Sequence, residues 1–141
     1  MKTMISFILA VNLMISVSSF AANSGKSNPE VLNSYLKIQE SLANDSIVGI
    51  SADAAAVAKN TQDEKVKISA EALSRDTSLD SARKHFKELS LRMDLWAKNA
   101  KPSGIDRVSC PMLHAPWLQK HGAIKNPYYG NKMQGCGEVQ K

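Results

Sequence analysis

The chain has 141 residues, of which 43% are hydrophobic, 22% charged and 6% aromatic, and it carries a formal net charge of +5. That length and composition describe one globular domain and exclude a disordered or collagen-like chain. Two Cys are too few for a disulfide-dense scaffold or a four-thiolate zinc ribbon, and three Phe, three Tyr and two Trp are few for a β-sandwich or barrel.

In chain order, Lys2, the apolar run Ile5 to Val17 and the small residues around Ala21 and Ala22 have the three regions of a secretory signal peptide. Cleavage after Ala21 puts Ser19 and Ala21 at the small-residue positions. The signal therefore spans 1–21, and a polar lead-in spans 22–28. The apolar run is shorter than the roughly 20 residues needed to cross a bilayer, and no stable membrane anchor is expected. The mature protein is expected to be periplasmic or secreted, where thiols are paired, metal-bound or vulnerable to oxidation.

Asn28-Pro29-Glu30 reads as a cap, a first-turn Pro and a first-turn acid, followed by Leu32, Tyr35, Leu36, Gln39 and Leu42 at helical spacing. Asp45-Ser46 offers the next cap, with Ile47, Ile50, Ala54, Val57 and Ala58 behind it up to Asn60. Thr61 and Glu64 fit a capping box ahead of Val66, Ala70 and Leu73. After Ser78, the residues Leu79, Ala82, Phe86, Leu89, Met93, Trp96 and Ala100 alternate in steps of three and four, the pattern of a bundle seam. Pro102 and Gly104 stop that helix. The expected fold is all-α: an antiparallel bundle of three to four helices over 29–101. A short irregular or β-hairpin-like lobe, 102–141, packs on it as part of the same domain.

The lobe holds the chemistry. Ala22 to Ala100 carries 11 basic and 11 acidic residues, whereas Lys101 to Lys141 carries six basic and two acidic, so the charge excess belongs to the tail. Cys110, Met112 and His114 alternate with other residues, and an extended backbone would turn all three donors to one face. Met133 and Cys136 lie three apart around Gly135, a spacing suited to a turn that directs both toward one point, and His121 lies between the two clusters. Thiolate with thioether selects Cu(I) or Ag(I) over hard ions, whereas zinc sites draw on Cys, His and carboxylates. The candidate metal ligands are Cys110, Met112, Met133 and Cys136, with His114 and His121 as further donors.

Two Cys in an exported chain more often form a disulfide than a metal site. Bridging Cys110 and Cys136 would close a loop of about 27 residues and contribute roughly 3.5 kcal/mol in the chain-entropy picture. In that alternative the protein is a disulfide-stapled helical interaction module without metal, its basic tail docking on an acidic partner or membrane surface. No Gly-rich phosphate loop, His-Glu-x-x-His segment or Cys-x-x-Cys pair appears, so no enzyme activity is expected. The basic excess is too dilute for a nucleic-acid stripe. Trp117 and the turn-forming run Asn126, Pro127, Tyr128, Tyr129 and Gly130 suit a structural turn and an aromatic cover over the lobe.

The spaced pattern Cys110-Pro111-Met112, Trp117-Leu118-Gln119, Asn126-Pro127-Tyr128-Tyr129-Gly130, Met133 and Cys136-Gly137 resembles a family of exported bacterial domains without an assigned function. Such domains occur alone behind a signal peptide or fused to periplasmic adaptor subunits of copper and silver resistance-nodulation-division efflux pumps. Tyr35 to Gln39, and Ala82-Arg83-Lys84 with Phe86, look like the family's helical part. The resemblance implies a helical domain with a Cys/Met-rich C-terminal lobe, a link to heavy-metal handling, and a pump adaptor as partner. Cys110, Met112, Met133 and Cys136 match its sulfur positions.

Overall fold

Pro29–Ala43 form the first helix, α1, of the computed structural model, which describes residues 28–141. The expected signal peptide and the lead-in before Asn28 lie outside the described residues. Asn28 caps α1 through its side-chain oxygen, which accepts from the Glu30 N–H at 3.0 Å. Val31, Tyr35, Ile38 and Leu42 form the buried stripe, at the three- and four-residue spacing that keeps one face inward.

The second helix, α2, spans Ile50–Asn60 and starts later than the Asp45-Ser46 cap predicts. The chain turns twice first, with Asp45 at φ 54° and Gly49 at φ 84°. Asp45 instead accepts from the Arg83 guanidinium at 2.5 Å and the Asn131 N–H at 3.0 Å. The third helix, α3, spans Glu64–Ser74 and is capped by Asp63, not Thr61. The Asp63 carboxylate accepts from the N–H groups of Lys65 and Val66, and Thr61 Oγ1 supports the Asp63 N–H from outside the helix. A carboxylate at a helix N-terminus also meets the positive end of the dipole, which favours Asp63 over the neutral hydroxyl. Val66, Ala70 and Leu73 are buried as the spacing predicts.

The long helix α4, Leu79–Ala100, is capped by Ser78 and buries Ala82, Phe86, Leu89 and Met93. Beyond Met93 the inward position is Ala97, while Trp96 is half-buried and Ala100 exposed. This half of the helix packs on a sheet, not on another helix, and the sheet overturns the all-α expectation. Ile105–Cys110 form β1, Ala115–Lys120 form β2 and Glu138–Val139 form β3, an antiparallel sheet in the order β2-β1-β3. The fold is therefore mixed α/β.

The tail is not an appendage on a finished bundle. Val108, Cys110, Ala115, Trp117, Leu118 and Tyr128 belong to one hydrophobic core with the helical residues. β2 buries Trp117, Leu118 and Gln119 in succession, a run that does not alternate because both faces of the strand are covered. Tyr35 on α1 reaches across the core, where its hydroxyl accepts from the Leu118 N–H at 3.1 Å and bonds the buried Ser90 hydroxyl at 2.7 Å. Burial raises the Tyr35 phenol well above its ordinary pKa, so it stays neutral in this role. Arg107 on β1 forks onto Asp94 on α4 through two nitrogens, at 2.8 and 3.1 Å.

Candidate functional site

Cys110 is the last residue of β1 and is fully buried. The expected extension of the strand through Met112 and His114 does not occur. The β1–β2 pairing ends at Cys110↔Ala115, and residues 111–114 are the hairpin turn. Pro111 explains the stop, since it has no N–H for a ladder and its fixed φ suits the first position of a turn. Met112 and His114 are consequently exposed, Met112 to 61%, and His114 adopts φ 48°. The three donors do not share a strand face.

Met133 to Cys136 does form the expected turn: the Cys136 N–H donates to the Met133 carbonyl at 3.0 Å, and both residues are half-buried. What places this turn is the pairing of β3 on β1, with Val108 opposite Val139 and Ser109 opposite Glu138. Cys110 and Gly137 are the next positions in that register, and Cys136 adjoins them. Gly137 permits the close approach, because a Cβ there would lie 2.6 Å from Trp117 Cη2 and 2.9 Å from Val108 Cγ1. The register thus brings the segment of Cys136 toward the end of β1 that carries Cys110 and the turn with Met112 and His114. Neither Cys is bridged in the structure.

His121 is not part of this group. It follows the other end of β2, a strand length of about 20 Å from the hairpin turn, where its N–H donates to the Gly104 carbonyl at 2.9 Å. Its imidazole pairs with Asp106 at 3.0 Å, and that carboxylate raises the His121 pKa above the ordinary histidine value.

The Asn126 to Gly130 run has the structural role its turn chemistry suggests, with Asn126 as its centre. This fully buried side chain accepts from the N–H groups of Tyr128 at 2.8 Å and Tyr129 at 3.2 Å, and its amide donates to the Cys136 carbonyl at 2.7 Å. Asn126 is therefore the main polar tether of Cys136. The Tyr128 hydroxyl donates to the Pro116 carbonyl at 2.5 Å, and its ring meets Trp117 edge-on with centroids 6.0 Å apart. Burial raises the Tyr128 pKa, and the phenol remains a neutral donor. The Pro127 carbonyl accepts from Arg83 Nε at 2.9 Å, and Gly130, at φ 54°, packs where any Cβ would collide with Asp45 and Arg83.

Four residues that hold this lobe were assigned no site role from the sequence: Arg83, Asp45, Gln119 and Ser90. Arg83 ties α4 to the Leu42 carbonyl, Asp45 and Pro127 together. Gln119 accepts from Trp117 Nε1 and the Lys125 N–H, and donates to the Ala123 carbonyl, each at 3.0 Å. The sequence signals for them were the quoted segments Ala82-Arg83-Lys84, Trp117-Leu118-Gln119 and Asp45-Ser46, none of which pointed to these contacts.

A second concavity, of about 200 Å³, lies between α1 and the loop after β2. Lys37, Glu40, Lys120, His121 and Lys125 are among its lining residues. Among the described residues no cluster of three or more His, Cys, Asp and Glu side chains is placed to hold an ion. Comparisons of the chain with protein-family models, with curated proteins and with solved structures gave no match.

Proposed function

We propose that this protein binds a soft monovalent metal ion, Cu(I) or Ag(I), at the β1–β3 end of its sheet and buffers it for, or passes it to, an export system. The observation that supports this most directly is the β1–β3 register: continued by one position it faces Gly137 to Cys110, so that Cys136 is the next residue along although 25 residues separate the two Cys in the chain. Cys110 and Cys136 supply the thiolates. Met133 joins from the turn that Cys136 closes, and Met112 stands exposed two residues beyond Cys110. Two thiolates give affinity, and thioether donors need no deprotonation, so a mixed set exchanges its cargo readily with another sulfur-rich protein. The buried surroundings of Cys110, with Trp117 and Tyr128, limit water near the thiol. His114, in the same exposed turn, is a supplementary donor. His121, at the far end of β2, is not proposed as one. Export, the efflux link and the adaptor partner rest on the signal-like N-terminus and the family resemblance.

The test is a titration of the reduced protein with Cu(I) against a competing chromophoric chelator. Uptake of one equivalent that disappears in C110S/C136S is the expected result. Uptake by that double variant equal to the parent protein overturns the reading. Because Cys110 is in the core, C136S alone and M133L give a second measure, each expected to weaken binding while the fold, followed by circular dichroism, is retained. Mass measurement after alkylation distinguishes the stapled alternative: a pair that resists both alkylation and mild reduction favours a structural disulfide.

A further inference from the structure

The groove between α1 and the loop after β2 is separate from the sulfur end of the sheet, and its charge is one-sided. Lys37, Lys120, Lys125 and His121 line it against a single acid, Glu40. The existing pairings leave much of that charge unspent. Lys125 meets Glu40 only at 3.5 Å and Lys37 meets Asp53 at 3.9 Å, both lysines about half exposed, while Lys120 has no ion pair among the described residues. His121 already faces Asp106, so the lysines are the available cations.

The floor does not resemble a site for a desolvated small anion. The Gln39 amide is committed to the Lys125 carbonyl at 2.7 Å, and Gln119 is committed on both its oxygen and its nitrogen. No Arg lines the groove. Flexible, solvated lysines on two facing walls instead suit several carboxylates presented in a row. Gly122 and Ala123 are exposed lining residues whose N–H groups donate to no acceptor among the described residues. A lipid surface is a poorer match. The lysines line a concavity, and its only aliphatic walls, Leu36 and Ala123, offer little to insert into a bilayer.

From this arrangement we infer that the groove is a docking site for an acidic peptide segment of a protein partner, held by Lys37, Lys120 and Lys125. The site is independent of metal binding, so the sulfur residues can fail as ligands without affecting it. Contacts between exposed charges are individually weak, and the binding is therefore modest, fast and strongly reduced by salt.

The experiment uses the full mature protein and a fluorescein-labelled peptide of alternating Glu and Ala, read by anisotropy at low and high salt. K37Q/K120Q/K125Q is expected to weaken binding about tenfold. The control K65Q/K84Q/K98Q removes the same net charge from exposed sites on α3 and α4 and is expected to change it less than about threefold. Equal losses in the two triple variants overturn the inference, as they would show general electrostatic attraction. So does displacement of the peptide by inorganic phosphate at concentrations matched for ionic strength with a chloride control, which would mark a small-anion site. Lysine-dependent binding to anionic phosphatidylglycerol vesicles without measurable peptide binding would assign the groove to a membrane and equally overturn it.

Discussion

Replacing Asn126 by Ala removes three hydrogen bonds with one substitution, and the structure allows the cost to be apportioned. The Tyr128 N–H is buried and has no alternative acceptor at hand, whereas the Tyr129 N–H and the Cys136 carbonyl are only partly buried and can recruit water. Three net bonds at about 1 kcal/mol each, with the larger share at Tyr128, place the loss near 3 kcal/mol. For a small domain whose whole stability is of order 5–15 kcal/mol, that is a substantial fraction. Urea denaturation should show the midpoint falling by roughly 1–3 M. Amide exchange adds location: Gly137 to Val139 should lose protection in N126A well before α1 and α4 do, because Asn126 tethers Cys136 while β3 itself has only two residues. N126D keeps the acceptor oxygen for both tyrosine N–H groups but loses the donor to Cys136 and buries a charge, so it should also release the β3 end. A loss under about 1 kcal/mol in N126A, with exchange at Gly137 to Val139 unchanged, would refute the assignment of Asn126 as the tether.

Gly137→Ala forces a methyl against Trp117 and Val108 and is expected to lower stability by about 1–3 kcal/mol in thermal or urea unfolding; Gly135→Ala, with open space around the added Cβ, should be nearly silent. The His121 imidazole should titrate above the ordinary value of 6.5 in NMR chemical shifts, and Asp106→Asn should bring it back down. Because its folded pKa is raised, the stabilisation from the His121–Asp106 pair is complete below the unfolded pKa and is lost as pH rises through the folded one. Asp45 has the opposite sign. Its carboxyl is held below the usual range, first by the Arg83 hydrogen bond and then by the Asn131 N–H, so its contribution is present above the unfolded pKa and lost as pH falls through the folded value. Comparing urea midpoints of the parent and Asp45→Asn down to acid pH should show that difference shrinking. Arg83→Ala, which opens bonds to Leu42, Asp45 and Pro127 at once, should cost about 2–3 kcal/mol by the same measurement.

Local periodicity made the helices readable. The stripes Val66-Ala70-Leu73 and Ala82-Phe86-Leu89-Met93 are buried in the structure because a single helix face decides them. Cap choice was less legible where two candidates stand close together, as with Thr61 and Asp63, since the better acceptor wins by a small energy. The sheet was the larger surprise. β1 reads Ile-Asp-Arg-Val-Ser-Cys, a half-polar strand whose stability comes from neighbours 11 and 31 residues away at the pairs Arg107↔Leu118 and Val108↔Val139. β2 carries Pro116 and a run buried on both faces, so it has neither a clean alternation nor a proline-free ladder. The approach of the Cys136 segment to the Cys110 end of β1 depends on the same distant pairing and could be only suspected from their Met neighbours. The exposure of Met112 and His114, by contrast, was announced locally by Pro111.

The two sulfur-bearing segments are held by different means, and this bears on the proposed metal site. Cys110 is fixed by the main core: rings link Trp117 to Tyr128, Tyr128 to Phe86 and Phe86 to Tyr35, with centroids 6.0, 6.0 and 5.1 Å apart, so its position is set once the helices and hairpin pack. Cys136 depends on Asn126 and on a two-residue strand at the sheet edge. With one thiol rigid in the core and the other tethered at the edge, closing the edge would complete the proposed ligand set. A ligand that needs both thiols binds the closed form alone, and its apparent affinity falls in proportion to the closed fraction. By the same linkage, a metal bound as proposed would stabilise the closed tail by about 2.7 kcal/mol at a hundredfold excess over its dissociation constant. That is close to the cost assigned to the loss of Asn126, so on the proposed reading the metal and the Asn126 amide would act on one closure with comparable strength.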